Sequence, residues 1–429
     1  MPLTLIRRNL RPVRFAGALA ATALLTIAAD ATGAHAQGSA RADAAPATPA
    51  PPTANYWAYV GAESKDEVYR IRFGPGGAVV ERTIYVGELA AEMEGPHGLQ
   101  ISRDGKYLHM TTGHGFPDGK YWVYVLGPDT LMAPGILLGN FPASLDVSPD
   151  GRYMFSANFN LHGDMVPSSI SVVYVPTMTE VKRIVTCTMP HGSRISPDGT
   201  KQYSGCLLDD ELVELGTREL AVSRRFSLAK GKEGPRDAPG EHLMIQHWID
   251  GAREVSKGTT GDPADVGYLA MAGMKHAMAP NSCSPTWAQP SVTGAKIFVA
   301  CNKADEIVEV DRDTWSVTRR LKTGRGVYNL AVTPDGKLLV ATLKQGAKFE
   351  IFDLATGASL AQIATSNAVA HGVTISSDSR YAFVTSEGIG AQLGKVDIFD
   401  LGARQKVATI DVGQQPGGIT FWKSEPVKR

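Results

Sequence analysis

Three histidines open three copies of one short pattern: His97 in PHGLQIS, His191 in PHGSRIS and His371 in AHGVTIS. Neutral imidazole ligates copper, zinc and iron, so three rings held at one radius by three equivalent frames would make a transition-metal site. His114, in TGHGFPDG, and His162, in NFNLHGD, each follow the second apolar stretch of a repeat copy and are candidates for the same cluster. A further group places Met274, His276 and Met278 within a few residues, with His242 and His247 earlier in the same stretch. Thioether and imidazole together suit Cu(I). Methionine also fills gaps where a lid packs on a scaffold.

A carboxylate beside a bound metal activates water, which is the route to a hydrolase. Asp209, Asp210, Glu211 and Glu387 offer acids in loops, and Asn158, Asn160 and Asn302 lie in matching ones. The competing reading is structural. Ala143, Thr286, Tyr328 and Gly417 hold the opening position in other copies, so the frame does not demand histidine, and a Gly after it permits an unusual backbone angle.

The frame itself is a repeat. SRDGKYLHMTT, SPDGRYMFSAN, SPDGTKQYSGC, TPDGKLLVATL and SSDSRYAFVTS, with a degenerate VTGAKIFVACN, each read as a tight turn followed by an alternating apolar strand. Most recur at intervals of about 40 to 50 residues, the period of a propeller blade. In register they give four strands, A to D, per unit, with units opening near Pro96, Pro142, Pro190, Pro285, Gly326 and Ala370. Asn55 to Val86 supplies strands B, C and D of one more unit, and PGGITFW from Pro416 supplies its strand A. The expected fold is therefore an all-β, seven-bladed β-propeller over residues 55–423. It is closed by pairing the last strand with the N-terminal blade, with a lid loop inserted at 232–283 and a tail at 424–429. That path puts the D-to-A connections and B-to-C loops on one face. Apart from His35, near the N-terminus, and His109, inside a strand, every histidine falls there.

Cys187 and Cys206 flank one A–B hairpin and Cys283 and Cys301 flank the next, which favours two equivalent disulfides, although four cysteines allow three connectivities. Thiolate ligation of a metal at the same face is the alternative.

The SPDG turns and apolar strands resemble the YVTN-type seven-bladed propellers, a group similar to lactonase-type propellers and to the propeller domains of nitrous-oxide reductase and haem-d-containing nitrite reductases. The resemblance covers residues 55–423 and speaks for the fold; function has to come from the site. It implies no copper cluster of the nitrous-oxide reductase kind, because too few histidines stand in register.

Residues 1–36 combine basic Arg7, Arg8, Arg11 and Arg14, an apolar run from Phe15 to Ala29 and a small-residue AHA site, the composition of a signal peptide for export. Arg7-Arg8 leaves Sec and twin-arginine export both open. Residues 37–54 read as a flexible Ala/Pro-rich tether, and no later stretch is apolar enough to cross a membrane. The expected location is periplasmic or secreted, an oxidising setting.

The chain carries 43 basic and 43 acidic residues, which gives no basic surface for nucleic acid. No CxxCH is present for covalent haem c, and no phosphate-binding glycine loop for a nucleotide. Three functions stand: a monomeric propeller that binds a small-molecule ligand or a periplasmic partner on the histidine face; a copper or other metal-dependent redox or metal-handling protein; and a metal-assisted lactonase-like hydrolase. Whether the chain is an enzyme is left open by the sequence.

Overall fold

The repeated phrase is a hydrogen-bonded turn. The Ser102 hydroxyl donates to the Asp104 carboxylate at 2.6 Å and accepts the Tyr107 amide at 3.0 Å, while Asp104 accepts the Lys106 amide at 3.1 Å. The same hydroxyl-to-carboxylate bond recurs at Ser148–Asp150, Ser196–Asp198, Thr333–Asp335 and Ser376–Asp378. The glycine after the acid takes φ of 70° at Gly105 and Gly151 and 72° at Gly199 and Gly336, a region that suits a residue without Cβ. In the last copy Ser379 occupies that position at φ 61°.

The computed structural model describes residues 48–88, 91–114, 119–161, 167–236 and 281–427. Each turn launches an antiparallel meander. Val369–Ile375 pairs with Tyr381–Glu387, that strand with Gly394–Asp400, and that one with Gln405–Val412. Among the described residues the strands form six hydrogen-bonded sheets: four of four strands, one of five and one of nine. The nine-stranded sheet is two antiparallel meanders joined at one parallel pair, Gly192 with Trp287. Inner strands neighbour one another in a closed circuit: Pro96–Ile101, Pro142–Val147, Pro190–Ile195, Pro285–Pro290, Val327–Val332, Val369–Ile375, Pro416–Pro426 and back to the first. The fold is an all-β propeller.

Hydrophobic cores lie between adjacent sheets. Val340, Phe349 and Ile351 of one pack on Val373, Val384 and Phe399 of the next, with Phe349 and Phe399 stacked at 4.6 Å. Fully burying side chains of this size stabilises by about 1.5–3 kcal/mol each.

Pro416–Pro426 pairs with Ala54–Ala62, from Ala54 opposite Pro426 to Ala62 opposite Pro416. Residues 424–426, expected as tail, therefore extend a strand. The last residues of the expected tether also touch the body, because Arg380 donates to the Ala50 carbonyl at 2.5 Å. Of the expected lid at 232–283, Gly234–Pro235 pairs as a short edge strand with Phe226 and Ser227. At its far end the Asp210 carboxylate accepts the amides of Ser282, Cys283 and Ser284 at 2.5, 3.1 and 2.7 Å. The leader and the rest of the lid lie outside the described residues. No helix among the described residues is long and apolar enough to cross a membrane.

Candidate functional site

The glycines after the opening histidines do not have unusual φ angles, contrary to expectation; they are needed for close approach. A Cβ on Gly98 would sit 2.5 Å from Thr111 Oγ1, one on Gly192 2.2 Å from the Trp287 ring, and one on Gly372 2.4 Å from the Gly417 carbonyl. Small residues thus let neighbouring inner strands close on the axis, and this brings the residues before them together.

The opening positions alternate small and large round the circuit except at Tyr328 and His371, which are both large: Gly417, His97, Ala143, His191, Thr286, Tyr328, His371. Four rings fill the mouth in a closed loop of contacts. Centroids are 6.3 Å apart for His97–His191, 5.4 Å for His191–Tyr328, 4.9 Å for Tyr328–His371 and 5.7 Å for His371–His97. The last pair meets over Gly417, where a Cβ would lie 3.2 Å from His371. Behind the rings the axial void is small, about 30 Å³.

Backbone carbonyls fix two of the imidazoles. A carbonyl only accepts, so His97 Nδ1–H donates to Ala143 O at 2.5 Å and His191 Nδ1–H to Thr286 O at 2.9 Å. The His191 Nε2 lone pair then accepts the Tyr328 hydroxyl at 3.1 Å. Burial, then the charges of His97 and Lys344, push His191 down to about 3. Burial and Lys344 likewise hold His371 well below the usual range. Both are neutral at ordinary pH.

Sequence reasoning missed most of the charged residues around these rings. They sit where strand B ends, and their amides bond two residues before an opening position: Glu63 N to Gln415 O at 3.0 Å and Lys344 N to Gly326 O at 2.8 Å. Glu387 pairs with Val369 in the same register. Aligning the residue after each strand B would have found them. Lys344 Nζ lies 4.3 Å over the Tyr328 ring and 3.7 Å from Glu387, whose carboxylate is 3.1 Å from His371 Nδ1. His371 Nδ1 makes no hydrogen bond across that contact. Glu63, 3% exposed, accepts His114 Nε2–H at 2.6 Å and lies 3.8 Å from His97 Nε2.

Burial raises both carboxyls, with opposite net results. For Glu63 the nearby His97, His114 and Lys344 outweigh burial and hold it below the usual range. For Glu387 burial dominates and Lys344 only partly offsets it, so it is pushed up. Burial works against the Lys344 charge, but Tyr328, Glu387 and Glu63 raise it overall. The site thus holds a fixed anion, a fixed cation, an elevated carboxyl, two neutral imidazoles and a phenol: groups able to bind polar atoms and move protons.

Phe141 and Phe159 wall the other side. Phe141 packs 5.2 Å from His97 and 5.0 Å from His114, and it does so at φ 49°. Left-handed backbone is general at this entry position, held by Gly95 and Gly326 and also by Met189, Ser284 and Gln415 at φ 55°, 51° and 54°.

His97, His191, His371 and His114 are therefore brought together. His162, His242, His247, Met274, His276 and Met278 lie outside the described residues. Among the described residues no three or more His, Cys, Asp or Glu form a group that could hold a metal ion. Asp209, Asp210 and Glu211 are scaffold rather than exposed acids: Asp209 accepts the Thr188 amide at 2.6 Å, and Glu211 is paired with Arg225 at 3.0 Å and Arg236 at 2.6 Å. Asn158 bonds Ser169 and Ser171, and Asn302 bonds the Val327 carbonyl. Asn160 takes φ 59° in its loop.

All four cysteines are bonded, Cys187 to Cys206 and Cys283 to Cys301, with Cα separations of 5.9 and 4.4 Å. Cys187 lies on the outer strand Thr179–Thr188 and Cys206 on Lys201–Cys206 of the following sheet, so the first bridge ties two sheets beside the site.

No family model and no curated protein sequence matches the chain. Solved structures do. The periplasmic gluconolactonase PpgL of Pseudomonas aeruginosa aligns with TM-score 0.60 and 16% identity, over 86% of this chain and 99% of that one. Hydrazine synthase of Kuenenia stuttgartiensis aligns with TM-score 0.55 and 15% identity, over 78% and 93%. The Cps50 (Swd1) β-propeller domain of Myceliophteria thermophila aligns with 0.53 and 13%, over 76% and 90%. At these identities the likeness is one of fold.

Proposed function

We propose that the chain is an exported, seven-bladed propeller of the YVTN type whose histidine face binds a small polar ligand. In this reading the nine-stranded sheet is two blades, residues 1–36 are a leader removed on export and 37–54 are a tether. Two disulfides fit an oxidising compartment.

The observation that carries the reading is the gathering of Glu63, His191, Tyr328, Lys344, His371 and Glu387 at one mouth. Elsewhere the opening positions hold Gly417, Ala143 and Thr286, and the positions after strand B hold Gly113, Phe159, Leu207 and Asn302, so the frame demands no charge at any of them, and partly paired buried polar groups cost stability. Donors and acceptors are mixed and charges nearly balanced, which suits a hydroxyl-rich molecule better than a strongly charged one. The test is calorimetric titration of a panel of sugars, sugar lactones and sugar acids into the parent, His191→Ala and Lys344→Met. Saturable binding that weakens at least tenfold in both variants supports the reading. A panel that fails to bind, or binds all three proteins alike, sinks it, and hydrolysis of a lactone during the titration moves the chain to the hydrolase class.

One observation favours a second reading, a metal held by His97, His191 and His371. Two of these rings donate Nδ1–H to a carbonyl, the tie that orients a metal-ligating imidazole by its Nε2. Against it stands the Lys344 ammonium beside Glu387, a neighbour that repels a divalent cation. Metal content of the untagged protein decides: near one equivalent of copper, lost in a folded triple alanine variant, would replace the first reading with this one.

A further inference from the structure

Below the ring of imidazoles the axis narrows between glycines and apolar side chains, with Ser144, Arg194, Trp287 and Asn329 as the polar lining. Arg194, three residues after His191, lays its guanidinium 4.5 Å over the Trp287 ring. Its protein acceptors are the Ser193 carbonyl at 2.8 Å and the Leu145 carbonyl at 3.4 Å, both reached by Nη1. Nε and Nη2 have no protein acceptor. No ion pair forms on Arg194 among the described residues. Asp146, in the corresponding place on the neighbouring inner strand, has its two oxygens engaged by the Val147 and Ile195 amides, each at 2.8 Å.

Two more polar groups face the same void without a partner. Trp287 Nε1–H is buried and unpaired, as is the Asn329 carboxamide oxygen, in residues 6% and 7% exposed. An amide turned end for end would present its NH₂ there instead. Arg194, Trp287 and Asn329 all line the axial void. Arg194 is half-buried and cannot shed its proton, so its Nε and Nη2 keep open donor capacity at the edge of the void.

We propose that the axial void binds one small monovalent anion of halide size, held by the free N–H groups of Arg194 and by Trp287 Nε1–H. The void of about 30 Å³ has room for such an ion. Burial pushes Arg194 below its ordinary value, with Asp146 countering only in part, the condition a bound anion relieves. The void is bordered by His97, His191 and His371 of the proposed ligand site, but its donors Arg194 and Trp287 are not part of that site and the proposal does not depend on that reading.

The experiment has two arms on the full chain. Crystals grown in sodium bromide are examined for anomalous scattering, and melting is compared in sodium chloride and sodium gluconate at equal ionic strength. The expected result is one bromide peak beside Arg194 and Trp287 Nε1, and a chloride-specific rise in Tm on the order of 3 °C that at least halves in Trp287→Phe. Trp287→Phe keeps the ring under the guanidinium, so it tests the donor even where Arg194→Met fails to fold. Absence of bromide density in the channel, or equal melting in the two salts, overturns the proposal, as does a chloride shift that Trp287→Phe leaves intact.

Discussion

The Tyr328 hydroxyl donates to His191 Nε2 at 3.1 Å, and because His191 gives its Nδ1–H to the Thr286 carbonyl, that bond has one direction. Tyr328→Phe removes the donor and leaves a buried lone pair. Unfolding should lose about 1 kcal/mol, and His191 should titrate at higher pH, since a proton no longer competes with the phenol for Nε2. Urea unfolding with imidazole NMR checks both.

Acid should weaken the protein from the neutral side. Buried His191 stays neutral down to about 3, buried His109 down to about 4, and His371 is also held well below the ordinary value. The unfolded chain takes up these protons below about pH 6.5 while the folded chain does not, so stability falls as pH drops through that window. Each group contributes roughly 1–2 kcal/mol by pH 5. His191→Asn should flatten the slope of unfolding free energy against pH by about one proton.

Lys344 and Glu387 should be coupled. Lys344→Met leaves Glu387 facing the Glu63 charge alone, and Glu387→Gln leaves Lys344 with Glu63 and Tyr328. Each single change should cost more than half of the double, with a coupling of about 1–2 kcal/mol. A double-mutant cycle by chemical denaturation measures it.

Ser379 is the one residue with a side chain at the αL turn position where other copies have glycine. Ser379→Gly relieves that backbone but removes the hydroxyl that accepts the Asp335 amide at 3.1 Å, so the two effects should nearly cancel, with a change under about 0.5 kcal/mol read from the denaturation midpoint at unchanged m.

Replacing either cysteine pair by alanine opens a loop of 19 or 18 residues. Roughly 3 kcal/mol should be lost in each case by loop entropy. For Cys187–Cys206 the loss should concentrate in faster amide exchange at the junction of the two bridged sheets.

The sequence reveals the propeller and the meeting of His97, His191 and His371 because both are carried by a pattern repeated at fixed spacing. Lys344 and Glu63 escape it. A lone charge after a strand usually faces water, and Glu63 belongs to a sheet whose inner strand arrives more than three hundred residues later. The acids at 209–211 mislead in the opposite sense: their loop composition suggests solvent, but orphan amides of the next connection draw them inside. The His-Gly pairs point to the right positions for a wrong reason, backbone freedom in place of strand-to-strand clearance.

Pairing between Ala54–Ala62 and Pro416–Pro426 also sets an order of events. The first inner sheet cannot be completed until residues 416–426 have been synthesised, so a growing or truncated chain presents Ala54–Ala62 as an open edge, ready to recruit a strand from another molecule. The contact is among the longest-range in the chain and carries a matching delay in folding. A chaperone that shields the open edge until the last strand arrives would find its substrate there.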